Sequence, residues 1–180
     1  MATPTTLPAS FTAGQVLTAA QMNDLRGAFR VLQVVSTAKT DTFTTTSTSF
    51  TDITGLTVSI TPQSATSQIL VLATVSCGAN FATNAAFLRL VRDSTAIDVG
   101  DASGSRTQAT TYSAVVDAGK VTEESIMFLD SPSTVSATTY KVQIACNAAG
   151  TSTVNRSYTD SNVSSAARTA SSITVLEISA

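Results

Sequence analysis

The chemistry open to this chain must come from carboxylates, hydroxyls, thiols and a few cations, because its 180 residues include no histidine and no tryptophan. Without imidazole there is no Ser-His-Asp triad, and the commonest zinc and copper ligand is missing. Glu123-Glu124 is the only adjacent acid pair. Strand neighbours point to opposite faces, so this pair does not supply the two carboxylates, about 5–10 Å apart across a cleft, that glycoside hydrolysis needs. Asp98, Asp101, Ser103 and Gly104 make an acidic, glycine-bearing loop. Calcium takes such oxygens, but the D-x-[DN]-x-[DN]-G spacing is not met, and a solvated turn is expected. Gly100 and Gly104 are not followed by Gly-Lys-Ser/Thr, so they are no phosphate loop. Cys77 and Cys146 fit no CxxC or metal spacing, and each ends an alternating run on its apolar side. Buried free thiols are the expectation, with a disulfide between neighbouring strands as the alternative. The expectation is a protein that is not an enzyme and needs no cofactor or metal.

Bulk properties narrow the partners. Ten basic and twelve acidic residues leave a net charge of −2, too little positive field for a dedicated nucleic-acid binder. Mean hydropathy is +0.23, yet the longest apolar run is 69–73, where a membrane span needs about 20 residues. Met1-Ala-Thr-Pro-Thr-Thr-Leu-Pro has neither a basic nor an apolar region of the secretory kind. Charged residues make up only 12% of the chain while Ser and Thr fill 56 positions. Thr favours strands and shows a hydroxyl to water, so this composition suits a β protein kept soluble by neutral hydroxyls. Long strand edges with few Lys or Pro residues would be sticky in a monomer, which favours an oligomer.

The elements that must position these groups divide near residue 33. Residues 1–32 read as a Pro-containing leader and one short α-helix, and residues 33–180 as a β-sandwich domain. Thr18-Ala-Ala-Gln21 is a capping box, with Leu17 and Met22 placed for a hydrophobic staple. Met22, Leu25, Phe29 and Leu32 recur at spacings of three, four and three, a narrow stripe suited to a partner helix or a docking surface. Leu17, Met22, Leu25, Phe29 and Leu32 are therefore the candidate assembly and anchor residues.

Beyond the helix the period is two. Strands are expected at 32–36, 41–46, 54–61, 68–77, 85–92, 95–99, 108–117, 124–130, 138–147, 152–158 and 171–178, separated by turns at 61–64, 98–101, 118–119, 130–132 and 149–150. Residues 171–178 are apolar on both faces except for Glu177, which argues for a central strand. Many short strands without intervening helices imply an antiparallel sandwich or jelly roll. Phe87 and Phe128 are expected in the core, and Tyr158 is the aromatic expected to be exposed. Arg89 and Arg92 alternate with Leu88, Leu90 and Val91, and one of them could be covered between subunits or reach outward. The polar stretch 151–168 reads as a mobile loop, the kind of segment in which recognition concentrates. Asn155, Arg156, Tyr158, Asp160 and Asn162 are its candidate contact residues.

The segment Phe11-Thr-Ala-Gly-Gln-Val-Leu-Thr-Ala-Ala-Gln-Met-Asn-Asp-Leu-Arg26 resembles the N-terminal segment of many tailed-bacteriophage virion proteins, in which it precedes a variable β domain. The body is similar in layout to trimeric jelly rolls of the C1q and tumour-necrosis-factor type. The resemblance implies a homotrimeric virion structural protein, made in the host cytoplasm, that partners itself and other virion proteins. In a tail fibre or tail-tip component it would contribute to adhesion to a host-surface glycan or protein. The alternative is a capsid decoration protein that cements the phage head and binds no host. No nucleic-acid partner and no membrane insertion are expected, and a polysaccharide depolymerase is disfavoured for want of an acid pair.

Overall fold

A computed structural model describes residues 13–14, 16–19, 21–22, 31–80, 85–115, 117–147 and 150–179. Among the described residues eleven strands occur where the period-two pattern predicts them: β1 (Val31–Lys39), β2 (Phe43–Thr45), β3 (Thr51–Ile60), β4 (Gln68–Ala79), β5 (Ala86–Arg92), β6 (Thr95–Ile97), β7 (Thr111–Ser113), β8 (Thr122–Asp130), β9 (Thr138–Cys146), β10 (Ser152–Val154) and β11 (Ser171–Ile178). All pairings are antiparallel.

Three pairs of short strands act as interrupted long ones. β10 and β11 lie end to end along one edge of β4, facing Cys77–Ala79 and Gln68–Thr74 respectively. Beyond them β2 pairs with β10 and β1 with β11, again end to end. On the other sheet β6 and β7 share one edge of β5. The fold therefore reduces to two curled four-strand sheets. The first runs β1/β2, β10/β11, β4, β8; the second runs β3, β9, β5, β6/β7. As Glu177 and its apolar neighbours predict, β11 is central, between β1 and β4.

The inward faces share one core. Ile69, Val71, Ala73, Val75, Ile126, Ile173 and Val175 come from the first sheet; Ile53, Leu56, Val58, Leu88, Leu90, Tyr140, Val142 and Ile144 come from the second. Ile53 and Leu56 can both point inward, three residues apart, because the β3–β9 register shifts between Asp52 and Thr57. Gly55 supplies the left-handed backbone there, at φ 81°.

The N-terminal expectations meet the structure only in part. Thr18 N donates to Gln21 Oε1 at 3.0 Å, and Gln21 N donates to Thr18 Oγ1 at 3.2 Å, the reciprocal pair of a capping box. Met22 N donates to Thr18 O at 3.0 Å, as in a first helical turn. Leu25, Phe29 and the body of the expected helix lie outside the described residues. Leu32 does not extend the helical stripe. It is half-buried in β1, where the register slips by one residue between Val31 and Gln33. Pairing with β11 overrides the helical period at that point.

Candidate interaction surfaces

With every strand face assigned, the outer side of the first sheet can be read row by row. Val34 pairs with Leu176, Leu176 with Leu70, and Leu70 with Leu129. The next row is Ser36, Thr174, Leu72 and Met127, and the next Ala38, Ser172, Thr74 and Ser125. Beside the first row, Val31 pairs with Ile178. No charged residue interrupts these rows; Glu123, opposite Ser76, stands beyond them. Met127 is 74% exposed and Val34 57%, with Val31, Leu129 and Leu72 also exposed. Contiguous exposed apolar area of this kind marks an interaction surface on a folded protein.

The outer side of the second sheet has the opposite character. Lys141 Nζ meets Asp52 Oδ2 at 2.8 Å, and Gln143 Nε2 donates to Asp52 Oδ1 at 2.7 Å. These bonds, that to Lys141 first, hold the Asp52 carboxyl below its usual range. Arg89 donates to Gln143 Oε1 from Nε and Nη2 and lies 4.1 Å over the Phe50 ring. Asp52, Lys141, Gln143 and Arg89 thus satisfy one another on this face. Phe87 belongs to this outer face and not to the core, because Ala86, Leu88 and Leu90 take the inward positions of β5. Its ring lies 6.4 Å from that of Tyr112. Tyr158 is exposed as expected, at 40%, and Tyr112 is exposed as well, at 58%. Phe128 does pack against the core.

The segment 155–170 interrupts the β10/β11 strand at the end of the sheet far from Val31. It is not the wholly exposed loop that its polarity suggests. Asn155 is fully buried, with φ 63°. Its N donates to Ser76 O at 2.9 Å, and its Nδ2 donates to Lys39 O and Asp41 O, each at 2.9 Å. Ser171 Oγ donates to Asn155 Oδ1 at 2.6 Å, so both ends of the excursion are tied together. Asn155 is therefore removed from the candidate contacts: its short amide side chain stabilises a left-handed corner. The predicted strand 152–158 stops at Val154 for the same reason. Arg156 is half-buried, donating from Nη2 to Thr44 Oγ1 and from Nη1 to the carbonyls of Ser157 and Tyr158. Tyr158, Asp160 and Asn162 are exposed as expected. Asp160 pairs with Arg168 at 2.9 Å and stands 3.7 Å from Arg156.

Gly78 explains how the excursion seats on β4. A Cβ there would lie 2.5 Å from Arg156 O and Thr153 Oγ1 and 3.2 Å from Ser157 Cα. Only a glycine lets the backbone of residues 156–157 pass over the strand.

Buried polar groups brace the fold. Arg92 Nη1 donates to both Asp130 oxygens at 2.8 Å, and Tyr140 Oη donates to Asp130 Oδ2 at 2.7 Å. This cluster joins β8 of one sheet to β5 and β9 of the other. Burial, reinforced by the Asp130 carboxylate, raises the Tyr140 phenol far above its ordinary range. Arg92 is thus committed inside the chain, as Arg89 is on its face. Glu177 is fully buried and accepts from Gln33 Nε2 at 2.6 Å and Gln63 N at 2.7 Å. Lys39 is buried with its ammonium 2.8 Å from Asp41 Oδ1, which lowers the Asp41 pKa. Cys77 and Cys146 are free and buried, as expected. Burial, with a smaller push from Glu124, raises the Cys77 thiol to about 12.

Glu123 and Glu124 face opposite sides of β8, beside Ser76 and Val75. Among the described residues no group of three or more His, Cys, Asp or Glu side chains could hold a metal ion, and no helix is long and apolar enough to cross a membrane. The apolar rows were each visible as alternating residues, but only cross-strand register joins four strands into one face. No protein-family model matches the chain, and no curated protein matches it in sequence.

Proposed function

We propose that this chain is a homotrimeric structural protein of a tailed-phage virion, a tail-fibre or tail-tip component, built on a jelly roll of the C1q and tumour-necrosis-factor type. The observation that carries the reading is the uncharged apolar stretch on the outer face of the first sheet, around Leu70, Leu72, Met127 and Leu129. Three copies turning that face toward a common axis would cover it, leaving the ion-paired second sheet in solvent. The strand order, β1/β2, β10/β11, β4, β8 opposite β3, β9, β5, β6/β7, supports the jelly-roll reading. The resemblance of residues 11–26 supports the virion assignment.

Chain direction supports a projecting domain. β1 starts at Val31 beside Ile178, whereas the 155–170 excursion opens beyond Lys39. The nine residues of β1 put about 26 Å of strand between the two ends. An attachment made through residues 1–30 would therefore leave the excursion pointing away from the particle, where weak contacts repeated over three copies add up to adhesion.

Native molar mass by light scattering tests the assembly. A mass near three chains is expected, and a monomer at micromolar concentration would overturn it. Immunogold labelling of particles from the phage that encodes the chain tests the placement. Label at the tail is expected. Label on the head would replace this reading with capsid decoration, and unlabelled particles would remove the virion assignment altogether.

A further inference from the structure

The 155–170 excursion encloses a depression of about 200 Å³ lined by Ser157, Asp160, Ser161, Asn162, Val163, Ala166, Ala167 and Arg168. We propose that it is a subsite for one acidic sugar ring, such as a uronic or sialic acid unit of a cell-surface polysaccharide; this rests on the adhesive reading above. Its volume falls below the ~300 Å³ at which drug-sized pockets begin, which suits a single pyranose.

The lining supplies the needed chemistry. One Asp160 carboxylate faces two guanidinium groups, Arg168 at 2.9 Å and Arg156 at 3.7 Å, so the cluster keeps a surplus positive charge. Arg168 side-chain exposure is 60%, and its contacts with Asp160 run through Nη2. The other edge of its planar donor fork is open to a second carboxylate. Ser161 and Asn162 offer groups that both donate to and accept from ring hydroxyls. Val163, Ala166 and Ala167 offer a small apolar patch for the C–H face of the ring.

The depression is also preorganised, which lowers the ordering cost of binding. Asp160 N donates to Ser157 Oγ, Val163 N to Ser161 O, and Ala166 N to Val163 O. Thr159 N donates to Ala118 O, and Thr169 N to Asn155 O, closing the excursion at its base.

The test is saturation-transfer NMR on the full chain, with glucuronic acid and N-acetylneuraminic acid as probes and with glucose and acetate as controls. Transfer to the ring protons of at least one acid is expected, with neither control saturating comparably. Loss of a charge-assisted contact in Arg168→Ala should weaken binding about tenfold or more, and Ala167→Trp should abolish it by filling the depression. Absence of transfer from both acids overturns the proposal. So does equal transfer from glucose, which removes the acid requirement, or equal binding of acetate, which reduces the site to an anion contact. Unchanged binding in Arg168→Ala, with native folding verified by circular dichroism, overturns it as well. Native mass measured on the same samples separates the two readings: trimers without sugar binding refute only the subsite, and sugar-binding monomers refute only the assembly.

Discussion

Replacing Met127 with lysine should dissolve the proposed trimer while leaving the folded chain intact. Met127 lies outward on β8 opposite Leu72 and is 74% exposed, so the single chain loses almost no packing, and its stability should move by less than about 0.5 kcal/mol. Assembly is different. Full burial of a Met side chain contributes about 1.5–3 kcal/mol. Scaling this by the 74% still available for burial leaves about 1.1–2.2 kcal/mol per copy. Three copies lose about 3–7 kcal/mol, equivalent to between two and five powers of ten in the association constant. Desolvating three ammonium groups near one axis adds to that loss. Light scattering on Met127→Lys should therefore give the mass of one chain at concentrations where the parent gives three, with a monomeric melting curve of ordinary cooperativity. A variant that remains trimeric with unchanged dissociation on dilution would refute the argument that this face is the interface. A surface control on the other sheet, Thr57→Lys, should leave the mass unaltered.

Four further outcomes follow from the interior. Tyr140→Phe removes the hydrogen bond to the Asp130 carboxylate and should cost about 1.5–3 kcal/mol in denaturant unfolding. The parent should lose stability as pH rises above about 9. The Cys77 thiol is raised from 9.0 to about 12 and the Tyr140 phenol is raised also. The unfolded chain therefore releases these protons first, and each group's contribution, fully present below its unfolded pKa, falls by up to about 1.4 kcal/mol per pH unit. Urea titrations at pH 8 and 10.5 measure this, and a thiol reagent should label neither buried cysteine until the chain unfolds. Gly78→Ala forces a Cβ to within 2.5 Å of Arg156 O and should cost about 1–3 kcal/mol through overpacking. Hydrogen exchange should rise selectively across 155–170. Asn155→Ala forfeits the bonds to Lys39 O, Asp41 O and Ser171 and should lower stability by about 2–4 kcal/mol, whereas Asn162→Ala, in the same excursion, should be neutral in a thermal melt.

Alternation of apolar and hydroxyl residues is local, and it sufficed to find all eleven strands, the inward faces of β4 and β9, and the central position of the strand bearing Glu177. Capping chemistry is local too, and Thr18 with Gln21 makes the predicted reciprocal bonds. The absence of histidine likewise excluded whole classes of chemistry before any fold was known. Tertiary structure decided everything that depends on which strand lies beside which. Leu70, Leu72, Met127, Leu129, Val34 and Leu176 are scattered over some 140 positions of the chain, and only register makes them one face. Asn155 reads as a polar loop residue, yet the meeting of the end of β1 with β4 and β11 buries it. Arg92 reads as a cation that could be covered between subunits or reach outward, yet it pairs with Asp130 across the two sheets. A period of two assigns a side chain to a face of its own strand, but pairing over long sequence separations is a global property. It alone determines which faces are covered, which polar groups are satisfied, and which surface remains for a partner.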